Sequence, residues 1–181
     1  GFLGASKIAR VYIDNFAYKV WPVPTEIGPY GITVDHKGRV WLSSNAIGMT
    51  GAGRFDPETG VWDLVPGFFS GAGIAQGLDD LMWVASGNGI TAVNIETLAL
   101  GPVFKTPYYM KGIGFDAKGF LWAVNYSDVD DGNNPIDPEV VMKIDVDTLS
   151  VVGSYDGLDR PYTCSDFTVN ALFNVACVAP E

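Results

Sequence analysis

Gly31-Ile32-Thr33-Val34-Asp35-His36-Lys37-Gly38-Arg39-Val40-Trp41 recurs twice further along the chain. The second copy is Gly73-Ile74-Ala75-Gln76-Gly77-Leu78-Asp79-Asp80-Leu81-Met82-Trp83, and the third is Gly112-Ile113-Gly114-Phe115-Asp116-Ala117-Lys118-Gly119-Phe120-Leu121-Trp122. Each Trp falls ten residues after its Gly, and the copies begin 42 and then 39 residues apart. Each copy reads strand, turn, strand: an apolar β-branched run, an Asp/Lys/Gly turn, then an apolar pair ending in Trp. Gly38 and Gly119 stand where a hairpin needs positive φ, and Gly77-Leu78-Asp79-Asp80 is a degenerate version of the same turn.

A second phrase follows each Trp. Gly53-Arg54-Phe55-Asp56-Pro57-Glu58-Thr59-Gly60, the stretch Ala92 to Leu100, and Met142-Lys143-Ile144-Asp145-Val146-Asp147-Thr148-Leu149 all read strand, acidic-Thr turn, strand. Two hairpins in a period of about 40 residues make a four-stranded antiparallel blade, and such a period is the signature of a β-propeller. The expected fold is therefore all-β, with no helix. Blades are expected at 28–67, 68–107 and 108–158. Residues 1–27 read as a closing half blade and 159–181 as an opening half, Pro161-Tyr162 matching Pro29-Tyr30. The halves either join into a four-bladed ring or leave an arc of a larger propeller. The three Trp rings are expected to pack between blades, each able to bury about 150–250 Å²; a row of sugar-stacking rings is the alternative.

Composition narrows the function classes. The net charge is −10, and residues 126–181 carry eleven acidic against two basic side chains. A nucleic-acid partner, which needs a basic footprint, is excluded on that ground. No apolar run is long enough for a transmembrane helix, so membrane insertion is not expected. The absence of an initial Met and of a basic-then-apolar opening reads as a processed product. Cys164 and Cys177 enclose a short loop, and pairing them would add about 3 kcal/mol. That pairing goes with an extracellular or periplasmic location, and two free thiols with a reducing one.

Propeller ligands bind at the mouth of the central channel, on the loops into the innermost strand and out of the Trp strand. Those loops place Tyr30, Asn45, Asn88, Lys111, Asn125, Tyr162 and Asp166 as ligand-binding candidates. The insertion after Asn125 gathers Asp128, Asp130 and Asp131, an oxygen-rich run suited to calcium, although it departs from the EF-hand spacing. A solvated acidic loop is the competing reading. His36 is the sole histidine and lies in a turn, so no Ser-His-Asp, Cys-His or histidine metal site is available.

The run Gly28-Pro29-Tyr30-Gly31-Ile32-Thr33-Val34-Asp35, with Gly38-Arg39-Val40-Trp41 and Arg54-Phe55-Asp56-Pro57-Glu58-Thr59-Gly60, resembles the repeats of streptogramin lyase-like propellers. More loosely it is similar to the NHL and gluconolactonase-like groups. The last half blade, with Tyr162-Thr163-Cys164-Ser165-Asp166, resembles that of secreted bacterial propellers. The lyase resemblance implies a magnesium-assisted ring opening that uses channel histidines; none stands at a matching position, so that activity is not carried over. The gluconolactonase resemblance implies an axial calcium held by Glu, Asn and Asp, for which Asn125 and Asp166 are matches while a Glu is lacking. The expectation is a secreted binding or assembly module, leaning away from catalysis, with a protein or small-molecule ligand at the channel mouth. Two alternatives stand beside it: a calcium-dependent hydrolase or lyase using Asn45, Asn125 and Asp166, and a structural subunit completed by another chain.

Overall fold

The structure is a computed structural model, which describes residues 6–44, 49–67, 71–87, 89–126, 137–159 and 161. Its described elements are all strands. A two-stranded hairpin, β1 (Lys7–Val11) with β2 (Tyr18–Pro22), comes first. Three four-stranded antiparallel sheets follow, each with its strands side by side in chain order. The first holds β3 (Pro29–Val34), β4 (Val40–Ser44), β5 (Ala52–Asp56) and β6 (Val61–Leu64). The second holds β7 (Ile74–Gln76), β8 (Leu81–Ala85), β9 (Gly89–Asn94) and β10 (Leu100–Lys105). The third holds β11 (Met110–Phe115), β12 (Leu121–Asn125), β13 (Val141–Asp145) and β14 (Ser150–Tyr155). β7 lies beside both β3 and β11, so the first strand of each sheet lines the inside of a propeller arc.

Gly38 and Gly119 take φ of 82° and 84° in the β3–β4 and β11–β12 turns, a region that a Cβ would strain. Gly31 is glycine for a different reason, close approach. A Cβ there would stand 2.5 Å from Ser43 Oγ and 2.7 Å from Ala72 O. The Ser43 hydroxyl accepts from Gly31 N at 3.0 Å and donates to the Ala72 carbonyl, stitching the first sheet to the second.

The core is a series of contacts between successive sheets. Alternation along each strand sends one set of side chains backward and the other forward. Trp41 lies among Ile74, Met82, Val84, Val93 and Ile95 of the second sheet. Trp83 lies among Met110, Ile113, Phe115 and Leu121 of the third. Both rings are buried between sheets and neither is offered to a sugar. Leu42 and Phe55 face the other way, onto Ile8, Val23 and Ile27 around the β1–β2 hairpin.

The repeated Asp has a second role besides its turn. Asp35 accepts from the Trp41 indole at 2.9 Å, and Asp116 accepts from Trp122 at 3.0 Å. The second copy has Gly77 at this register, and Trp83 Nε1 is buried with no partner. Asp79, two residues on, substitutes only in the turn, accepting from Leu81 N at 3.1 Å. Burial holds the Asp79 carboxyl above its ordinary range, with nearby carboxylates adding to the rise. Replacing either Trp by Phe removes similar volume, but only Trp41→Phe breaks a hydrogen bond to a carboxylate. We expect Trp41→Phe to cost about 1.5–3 kcal/mol more than Trp83→Phe, read from urea midpoints. Equal costs would show that the indole–carboxylate bond contributes nothing net.

Candidate functional site at the channel mouth

The start of each innermost strand pairs with the end of the Trp strand: Pro29 with Ser44, Ile74 with Val84, Met110 with Asn125. Loops into the one and out of the other therefore meet at one end of the arc. Backbone bonds lace this end together. Gly73 N donates to Lys111 O at 2.7 Å, Met110 N to Gly87 O at 3.2 Å, and Tyr126 N to Tyr109 O at 2.9 Å.

Lys111, on β11, is buried here, at 7% exposure. Its ammonium lies 4.3 Å from the ring centre of Tyr30, 5.7 Å from that of Tyr109 and 5.5 Å from that of Tyr126. Tyr30 belongs to the first sheet, and the other two flank the third. Electron-rich ring faces stabilise a desolvated ammonium by about 0.5–2 kcal/mol each. A cation in an aromatic collar at a channel mouth is suited to orienting a carboxylate or another acidic group, with ring faces alongside for an apolar portion of the same ligand.

Asn125 closes β12 and is fully buried. Its Nδ2 donates to Pro138 O at 2.7 Å, and its Oδ1 accepts from Val140 N at 2.7 Å. Both ends of this amide hold the loop into β13, so Asn125 shapes the mouth. Ser44 is similarly engaged, its Oγ accepting from Gly28 N at 3.1 Å. Asn45, Asn88, Tyr162 and Asp166 lie outside the described residues, as do Asp128, Asp130, Asp131, Cys164 and Cys177. Among the described residues, no group of three or more His, Cys, Asp or Glu side chains is placed to hold a metal. Of the candidates within the described residues, Tyr30 and Lys111 are brought together. Tyr109 stands two residues before Lys111 in the sequence, whereas the part played by Tyr126 depends on β12 ending beside β11.

The opposite end is a charged rim. Lys37 Nζ and Arg39 Nη2 converge on Glu96 Oε1 at 2.8 and 2.7 Å, tying the first sheet's turn to the second's. Hydrogen bonds from Lys37 and then Arg39 lower the Glu96 carboxyl to about 2. His36 also bridges these sheets, its Nδ1 standing 2.5 Å from Gln76 Nε2. Because the folded-state value of Glu96 is depressed, its contribution is present above the ordinary value near 4.5 and is lost as pH falls toward 2. Glu96→Gln should therefore lower stability at neutral pH by about 0.2–1 kcal/mol, the range for exposed pairs. The gap from the parent protein should shrink across that acid window in thermal melts. A gap that persists to the acid end would mean the carboxylate charge is not the source.

No protein-family model matches the chain, and no curated protein matches it. Solved structures do. The virginiamycin B lyase of Staphylococcus aureus aligns with a TM-score of 0.64 at 21% identity, over 85% of this chain and 50% of that one. A streptogramin B lyase aligns at 0.65 and 24% identity, over 85% of this chain and 49% of that one. A chain of the nidogen/laminin complex aligns at 0.63 and 17%, over 87% of this chain and 61% of that one. At such identities the likeness shows the fold, an all-β propeller arc similar to those of the streptogramin B lyases. The chain spans about half the length of the lyases it matches.

Proposed function

We propose that this propeller arc is a binding module that takes an acidic ligand, a small molecule or a protein side chain, at its channel mouth. The observation that carries it is the collar of Tyr30, Tyr109 and Tyr126 around the Lys111 ammonium, assembled from the first and third sheets. Protein-complex propellers such as the nidogen/laminin neighbour support the binding class. The Cys164–Cys177 loop, if closed, favours an extracellular or periplasmic setting for the same reading. A calcium-dependent hydrolase or lyase would need Asn125 as an axial ligand, and its amide is engaged at both ends.

The test uses N-acetylphenylalanine and its primary amide as probes, followed by NMR of labelled tyrosines. The carboxylate should shift the Tyr30, Tyr109 and Tyr126 resonances and the amide should not, and Lys111→Met should abolish the response. Equal responses to both probes, or a response that survives Lys111→Met, would sink the reading.

A further inference from the structure

The three indoles of the repeat do not share one environment. Trp41 and Trp122 donate to Asp35 and Asp116, whereas Trp83 Nε1 is buried with no partner. The acceptor is lost because Gly77 stands where the sister turns have Asp. A Cβ on Gly77 would lie 3.4 Å from Trp83 Nε1 and 2.6 Å from Asp79 Oδ1. An indole donor and a carboxylate acceptor thus flank one point beside bare backbone. Asp79 is at the surface, held over Gly77 by the Leu81 amide, so rotation of its own side chain opens the way to the indole. Asp79 also stands where the first turn has Lys37, and the charges acting on it include Asp147 and Asp80, both negative. Gly77 and Asp79 line a pocket of about 360 Å³ at this rim, together with His36, Gln76, Leu78 and Asp80.

The chemistry of an occupant follows by elimination. A carboxylate would satisfy the indole but stand against Asp79 and Asp80. An ammonium or a metal ion would suit those carboxylates but meet the indole N–H, which only donates. An amide has both roles, but on two separate atoms. A hydroxyl has both on one oxygen: it accepts from the indole and donates a charge-assisted bond to Asp79. The rest of the pocket suits further hydroxyls. The Gln76 amide accepts from His36 N at 2.8 Å and turns its Nε2 to His36 Nδ1, which leaves His36 Nε2 as the ring's outward donor. Asp80 Oδ1 lies 3.6 Å from that Nε2, so a donor and an acceptor stand side by side. Leu78, 64% exposed, gives an apolar face for ring carbons. We propose that this rim pocket binds a polyhydroxylated ligand of monosaccharide size, one of whose hydroxyls bridges Asp79 and the Trp83 indole. The pocket lies at the opposite end of the arc from Lys111 and does not depend on the reading of the mouth.

The test is a titration with methyl β-D-glucopyranoside, followed by NMR of the protein with its tryptophan indoles labelled with nitrogen-15. The Trp83 Nε1–H resonance, identified by its loss in Trp83→Phe, should shift saturably, while those of Trp41 and Trp122 stay in place. Asp79→Ala changes a surface side chain and should abolish the shift while leaving the other indole resonances where they were. Gly77→Asp gives the indole its own acceptor, as Asp35 does for Trp41, and should abolish it too. Lys111→Met should leave the response intact, which separates this site from the mouth. A Trp83 resonance that never saturates would mean that solvent alone serves the indole, and overturns the proposal. So does a shift that acetamide reproduces, or one that survives Asp79→Ala.

Discussion

Asp35→Ala is expected to lower stability by about 3–5 kcal/mol, the range for removing one partner of a buried charge pair. The Asp35 side chain is fully buried, and both oxygens are engaged. Oδ1 accepts from the amides of Lys37 at 3.0 Å and Arg39 at 2.9 Å, which shapes the β3–β4 turn. Oδ2 accepts from Arg39 Nε at 2.8 Å and Trp41 Nε1 at 2.9 Å. Deleting the carboxylate leaves the Trp41 indole N–H buried without an acceptor. It also leaves the Arg39 guanidinium, its side chain 13% exposed, with Glu96 as its remaining carboxylate partner. Asp35→Asn keeps the shape and one acceptor and should cost roughly half as much. The check is the urea midpoint at constant slope; a loss below about 1 kcal/mol would mean that the turn re-forms around water.

Asp116 makes the matching turn and indole bonds in the third sheet, but its cation is Lys143 at 3.5 Å rather than an arginine in the turn, and it should matter less. Desolvation pushes its carboxyl up, but bonds from the Trp122 indole and the amides of Phe120 and Lys118, with the Lys143 charge, hold it below the ordinary value. Trp122 is only half-buried, so its N–H can turn to water once the carboxylate is gone.

Phe55→Ala is expected to cost a similar 3–5 kcal/mol, as for other buried Phe truncations, but through a different part of the molecule. Phe55 is fully buried, with the Trp21 ring 5.2 Å away edge-on and the Trp62 ring 4.9 Å away. A two-stranded hairpin is marginal alone in water. β1 and β2 depend on the cluster of Ile8, Val23, Ile27, Leu42 and Phe55. Hydrogen exchange should show the amides of Lys7–Val11 and Tyr18–Pro22 losing protection first, with β7 to β14 protected at urea concentrations below the global transition. Uniform loss across all four sheets would mean that the hairpin and the arc unfold as one unit.

Much of the architecture was legible because blades are built by local rules. Strand alternation, turn residues such as Gly38 and the spacing of the three Trp residues act over a dozen positions, and all are visible in one dimension. The second copy's departure was visible too, as Gly77 where Asp stands in its sisters. Its consequence was not, since an indole N–H without an acceptor is a fact of three-dimensional burial. The mouth divides the same way. Loop position alone singled out Tyr30, Lys111 and Asn125, but the sequence treated them as equivalent candidates. Tertiary structure separated them: Asn125 was turned into its own loop, while Tyr30 and Lys111 were brought together from sheets far apart in the chain. Local chemistry therefore determined what each blade is. The angle at which rigid, twisted sheets pack on one another decided what converges at the axis, and that angle depends on contacts among residues that no short stretch of sequence contains.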